Sequence, residues 1–287
     1  MTLTLRLRST PPTALDVSSL TLERLGPLST DQIRRLPLRI GCQATDVATW
    51  FDVAGRADEK LGFEGDCRRI DGIGTAWAGG ELVVEGSAGA QLGRRMSAGI
   101  VRVQGSVGAL AASGMRGGVI EIAGDAGEAL GGPLRGERTG MRGGRVVVQG
   151  NAAAATGHRM RRGTILIGGQ AGPRCGWEMV AGTIAAGRVD STDLGFAMRR
   201  GTILILAAAI SASAATPSAA DPPPPVRPPC FTPPTAAPSG FLQLLLDDLA
   251  RGAGTETAAA IEQRRWDGGW LRSLGDLSRG GLGEVIW

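Results

Sequence analysis

The sequence has no tyrosine, a single histidine, a single lysine and only 4% aromatic residues. Thick globular cores lean on large aromatic side chains, so their scarcity argues for thin layers closed by small and branched aliphatic residues. The four cysteines, Cys42, Cys67, Cys175 and Cys230, are scattered without a CxxC pair. That excludes zinc and iron–sulfur spacings and gives no disulfide framework. The longest apolar run, Ile203–Ile210, is far too short to span a bilayer. Nothing like a secretory leader opens the chain, because Thr2–Arg8 alternates Leu3, Leu5 and Leu7 with polar residues, as a strand does. The expectation is a cytoplasmic protein with no membrane and no nucleic-acid partner.

Lys60 is the one lysine among 31 basic residues, and the formal net charge is +4. Such an arginine bias has two readings. One is a GC-rich genome. The other is an acidic partner, since the guanidinium fork matches carboxylate and phosphate geometry.

Glycine is what the chain has in quantity, 46 residues, and it recurs with a period. The glycines that open short β-branched runs are Gly80, Gly99, Gly118, Gly144, Gly163, Gly182 and Gly201, separated by steps of 19, 19, 26, 19, 19 and 19. The long step equals one repeat plus a seven-residue insertion near Gly131–Glu137. Methionines keep the same phase at Met96, Met115, Met160, Met179 and Met198, with Met141 displaced by the insertion. Within each unit, Leu82/Val84, Val101/Val103, Ile120/Ile122, Val146/Val148, Ile165/Ile167, Ile184/Ala186 and Ile203/Ile205 alternate with period two. A 19-residue unit is too short for a strand plus a crossover helix, but it suits one coil of short strands and glycine corners. The fold class is therefore all-β, a single-stranded right-handed parallel β-helix, with small helical flanks at both ends. Seven strands at the usual spacing give a prism on the order of 30 Å long.

Four segments follow: a strand and helix lead-in over 1–61, the glycine-rich β-helix over 62–206, an Ala/Pro-rich linker over 207–238, and a helical tail with a terminal strand over 239–287. In the lead-in, Ser29-Thr30-Asp31-Gln32 has the capping-box pattern of a helix start. The linker holds most of the prolines, and the tail places Leu242, Leu245, Leu246 and Leu249 on one helix side.

Outward positions of the coil read Val83, Arg102, Glu121, Val147, Leu166, Ala185 and Leu204, so the later coils present an apolar outer stripe in need of cover. That cover is either the chain's own C-terminal part or another subunit. The sequence offers no clear catalytic or metal constellation. His158 is a corner residue without a second histidine, and the aspartates are few and separated. What recurs is arginine beside the methionine: Arg95, Arg116, Arg142, Arg161 and Arg199. Stacked coil on coil, such residues form a column on one edge, either as a solvated edge or as a binding surface for an acidic partner.

The unit G-x-[IV]-x-[IV]-x-G…M-R-x-G resembles the glycine-rich repeat shared by the C-terminal part of glutamate synthase large subunits and the C-type subunit of formylmethanofuran dehydrogenase. The flanks LSTDQIRRLPLRIGCQATDVATWFDVAG, CFTPPTAAPSGFLQLLLDDLA and GDLSRGGLGEVIW resemble those of the C-type subunit, in its bacterial form within the formyltransferase/hydrolase complex of methylotrophs. The resemblance implies a non-catalytic subunit in tetrahydromethanopterin-linked formaldehyde oxidation. Its implied partners are amidohydrolase-like, formate-dehydrogenase-like and formyltransferase subunits, which move a formyl group to a methanofuran-type carrier and hydrolyse it to formate. The carrier's polyglutamate arm is then a candidate ligand for the arginine column. The alternatives are the C-type subunit of a tungsten or molybdenum formylmethanofuran dehydrogenase, a stand-alone β-helix enzyme, or a glutamate-synthase-like domain.

Overall fold

The computed structural model describes residues 2–56 and 59–206, together with three short strands nearer the C-terminus. The remainder of the expected linker at 207–238 and helical tail at 239–287 lies outside the described residues. β1 (Thr2–Leu7) and β2 (Leu15–Asp16) precede two short helices, α1 (Leu22–Leu25) and α2 (Thr30–Arg34). The hairpin β3 (Pro37–Ile40) and β4 (Gln43–Asp46) then leads through α3 (Val47–Trp50) into β5 (Phe51–Ala54). The repeats supply β6 (Lys60–Glu64), β7 (Ile70–Asp71), β8 (Ala78–Val84), β9 (Ala98–Val103) and β10 (Val119–Ile122). They continue as β11 (Arg142–Val148), β12 (Arg162–Ala171), β13 (Thr183–Val189) and β14 (Thr202–Ile205). Last come β15 (Thr235–Ala236), β16 (Leu271–Leu274) and β17 (Glu284–Ile286).

The α2 start shows how local sequence is obeyed. Ser29 Oγ accepts from Gln32 N at 3.3 Å, while Gln32 Oε1 accepts from Ser29 N at 2.8 Å, so the capping box is complete.

The repeats form a parallel β-helix. Its long sheet runs β15-β16-β17-β14-β13-β12-β11-β10-β9-β8-β6-β1-β5, and a second sheet of order β4-β3-β2-β7 lies in the N-terminal part. Registers follow the period: Ile120 pairs with Val101, and Ile165 with Ile184, each one repeat away. Ile120 pairs with Val146 on the other side, so the insertion is accommodated outside the strands and the ladder is undisturbed. Every inward aliphatic named above is buried except Ile205, which is partly buried. A second short face stacks Cys67, Ala88, Val107, Ala126, Ala152 and Ala171 by isolated parallel bridges. A third interior ladder, Ile73, Leu92, Ala111, Leu130, Thr156, Cys175 and Leu194, is also buried. Each fully buried aliphatic side chain is worth about 1.5–3 kcal/mol, and repetition makes that term large.

The six repeat methionines are all 0% exposed. Their partnership with glycine is steric. Gly201 has φ +113°, and a Cβ there would stand 2.6 Å from Met179 Cε and 2.7 Å from Gly182 O of the preceding coil. The methionine occupies the space that the next coil's opening glycine leaves empty, which explains why the two share one phase.

Gly62 lies inside β6, which begins at Lys60. β1 also pairs in parallel with β6, setting Leu3 against Leu61 and Leu5 against Phe63. The alternation of Leu3, Leu5 and Leu7 thus makes the first rung of the same ladder. The antiparallel β5 lies outside it, with Val53 O accepting from Arg34 of α2. The terminal strand expected in GLGEVIW is β17, and it adds in parallel to β14. The outer stripe Val147, Leu166, Ala185 and Leu204 is 6%, 0%, 1% and 0% exposed in the single chain.

Candidate anion-binding edge

The methionine corner positions the arginines through the backbone. The residue after each methionine donates its N–H to the methionine carbonyl of the preceding coil. Arg116 reaches Met96 O at 2.7 Å, Arg142 reaches Met115 O at 2.7 Å, Arg161 reaches Met141 O at 2.8 Å and Arg199 reaches Met179 O at 2.8 Å. These four arginines therefore share one phase and stand about 4.8 Å apart per rung. Val180, which reaches Met160 O at 2.8 Å, breaks the column between Arg161 and Arg199.

Arg95 is not in that column. It lies before Met96, with φ +56°, and its N–H points the other way along the helix, to Ser113 O at 2.9 Å. The column position in its coil is held by Ser97, which donates to Trp77 O at 2.8 Å. The offset comes from the corner itself, where the residue before the methionine takes the left-handed conformation and so reverses its bonding direction.

All five arginines are exposed. Among the described residues, Arg116, Arg142, Arg161 and Arg199 form no ion pair, although Arg142 donates to Thr139 Oγ1 from Nε at 3.0 Å and Nη2 at 2.8 Å. Arg95 does have a carboxylate. Its Nη2 lies 2.8 Å from Glu137 Oε1, and Arg94 Nη2 lies 3.0 Å from the same oxygen. Burial tends to raise the Glu137 carboxyl, but the hydrogen bonds from Arg94 and Arg95 outweigh it and hold the group below its ordinary value. Glu137 belongs to the insertion, so the segment that looked like an interruption bridges two coils.

Four features of this corner were missed in the sequence. Trp77 takes the methionine place in the first coil, at 0% exposure, and its period of 19 residues before Met96 could have found it. Ser87, Ser106, Asp125 and Asn151 keep one phase, and their side chains accept from Ser106 N, Asp125 N, Asn151 N and Gln170 N in turn. The residue after each strand-closing glycine carried that signal. His158, Trp177 and Phe196 stack as an aromatic corner, with ring centroids 6.0 and 6.1 Å apart. Burial lowers the His158 pKa and the nearby Arg159 adds to the effect, which favours neutral imidazole. The fourth is the Arg94–Arg95–Glu137 cluster, invisible because its members lie some forty residues apart.

Cys42 is exposed, whereas Cys67 and Cys175 are buried in the coil. Burial pushes the thiols of Cys67 and Cys175 up to about 12, away from thiolate formation. Among the described residues no three His, Cys, Asp or Glu side chains converge to hold a metal. No helix among them is long and apolar enough to cross a membrane.

A search of solved structures finds a chain in the crystal structure of the formyltransferase/hydrolase complex (FhcABCD) from Methylorubrum extorquens in complex with methylofuran. Identity is 32%, the match covers 99% of this chain and 98% of that one, and the TM-score is 0.79. The chain belongs to the family of β-helical, C-type subunits of formyltransferase/hydrolase complexes. No protein-family model and no curated protein matches it. The family's β-helix is the scaffold on which the corner described above is built, and the match spans the flanks as well as the coil.

Proposed function

We propose that this chain is a scaffold subunit of a cytoplasmic formyltransferase/hydrolase complex, in which other subunits transfer a formyl group from formyl-tetrahydromethanopterin to a methanofuran-type carrier and hydrolyse it to formate. The observation that carries this reading is the 32% identity sustained over 99% of the chain to a member of such a complex. The partners in this reading are amidohydrolase-like, formate-dehydrogenase-like and formyltransferase subunits. An affinity-tagged chain purified from its native host should co-elute with them in fixed ratio. Recovery of the chain alone, or with molybdenum- or tungsten-containing partners, refutes the hydrolase reading.

The column Arg116, Arg142, Arg161 and Arg199 serves, in the same proposal, as a rail for the polyglutamate arm of the carrier. Four guanidinium groups at one phase, without ion pairs among the described residues, are suited to successive carboxylates. Replacing the four with alanine should raise the KM for the polyglutamylated carrier at least fivefold and leave co-elution with the partners intact. An unchanged KM removes the rail from the proposal without touching the scaffold role.

A further inference from the structure

We infer that Arg94, Arg95 and Glu137 form a half-filled carboxylate site, which takes one further carboxylate group from a small organic acid. The geometry is that of two forks sharing one tooth. Arg94 Nη2 and Arg95 Nη2 both bind Glu137 Oε1, at 3.0 and 2.8 Å, while among the described residues Glu137 Oε2 takes only the Leu134 N–H at 3.4 Å. Two guanidinium groups thus meet one carboxylate through one oxygen, and the cluster keeps a net positive charge. An arginine fork ordinarily engages a carboxylate with two parallel N–H groups, so each fork here is used at half capacity.

A second observation points the same way. Arg94 Nε is buried and has no hydrogen-bond partner among the described residues. Buried donors on charged groups are nearly always satisfied, and an orphan calls for a ligand or a movement that supplies one. Arg94 has a side-chain exposure of 24%, and Arg95 reaches 55%. An incoming acid can therefore reach both forks and draw the Arg94 guanidinium outward. Arg135 and Arg138 flank Glu137 on the same loop, are exposed, and form no ion pair among the described residues, so the approach is positive as well.

The ligand class follows from charge. One carboxylate group neutralises the cluster, and the second group of an extended diacid such as glutarate can stand away from Glu137 beside the exposed Arg135 or Arg138, whereas dianionic phosphate sets both charges against Glu137. The chain supplies the first carboxylate from its own insertion, so Glu137 is both a structural strut and a competitor for the incoming group. The site needs none of Arg116, Arg142, Arg161 and Arg199, and its fate is independent of the rail proposed above.

The test is calorimetric titration of glutarate into the full-length protein as isolated from its host, at matched ionic strength. Glutarate should bind in the wild type, at least fivefold more tightly in Glu137→Gln, and at least fivefold more weakly in Arg95→Gln. Arg95 is the main variant because its side chain is largely outside the fold; circular dichroism checks that each variant keeps its β signal. The alanine variant of the four column arginines should bind glutarate as the wild type does. Binding that survives Arg95→Gln unchanged, or fails to tighten in Glu137→Gln, overturns the inference. So does inorganic phosphate binding more tightly than glutarate.

Discussion

The two halves of the outer face of the long sheet obey opposite chemistry on one backbone. In the first coils the outward positions form a ladder of charge. Lys60 Nζ lies 2.7 Å from Glu81 Oε2, Arg102 pairs with Glu81 on one side, and Arg102 Nε lies 2.8 Å from Glu121 Oε2 on the other. In the later coils the phase of Arg102 and Glu121 carries Val147, Leu166, Ala185 and Leu204, all buried. The interiors of the two halves are nonetheless alike, with methionine (Trp77 in the first coil) and paired aliphatics buried, Ile205 alone only partly. The inside answers to the coil, which is one geometry repeated. The outside answers to what each half meets, water in one and burial in the other.

The largest effect should come from carrying one half's chemistry into the other. Leu166 is 0% exposed, so Leu166→Asp buries an unpaired carboxylate and should cost more than about 4 kcal/mol, enough to threaten folding. Val83→Asp, at an equivalent outward position in the charged half, should shift the melting temperature by no more than about 4 °C. Thermal unfolding followed by circular dichroism compares the two. Equal losses would erase the distinction between the halves.

A smaller effect should show what the halves share. Met96→Ala and Met179→Ala each empty a fully buried site and should cost about 2–5 kcal/mol in chemical unfolding. Because the interior is the same device in both halves, the two losses should agree within about 1 kcal/mol. A large gap between them would mean that the outer cover also tightens the interior.

That division explains what could be read in advance. Positions such as Ile165, Met160 and Gly163 declare themselves, because a repeated coil forces one residue type into one phase and the period averages away accidents. The column Arg116, Arg142, Arg161 and Arg199 was legible for the same reason. Arg95 was assigned to it by adjacency to Met96, and the error came from a backbone reversal that residue type does not announce, since arginine rarely takes positive φ. The first rung at Thr2–Leu7 was visible as a strand but not as part of the coil, because its pairing with Lys60–Glu64 spans a stretch of unrelated sequence. Glu137 was equally hidden. An insertion breaks the phase on which every other inference relied, and its contact with Arg94 and Arg95 exists only once the coils are stacked.

The smallest effect concerns acid, and it separates the charged half from the apolar one most selectively. The Glu81 carboxyl is held below its ordinary 4.5, first by its hydrogen bond to Lys60 and also by Arg102, against a smaller opposing effect of desolvation. A carboxyl with a lowered folded-state pKa stabilises the fold above its unfolded value, and that contribution disappears as pH falls through the lowered one. The melting temperature should therefore show no Glu81 contribution to its slope between about pH 7 and 5.5, and an added decline below about pH 4.5. Other carboxyls, Asp46 and Asp66 among them, are also held low and decline with it, so the informative quantity is wild type minus Glu81→Gln. That difference should be no more than about 2–4 °C at neutral pH, shrink towards zero in acid, and shrink likewise in about 1 M salt. Exposed ion pairs are worth little singly, so a larger value would mean that Lys60, Glu81, Arg102 and Glu121 act as one network and not as separate pairs. The apolar half has no titrating outward group at Val147, Leu166, Ala185 or Leu204, so nothing in that stripe can mask the result.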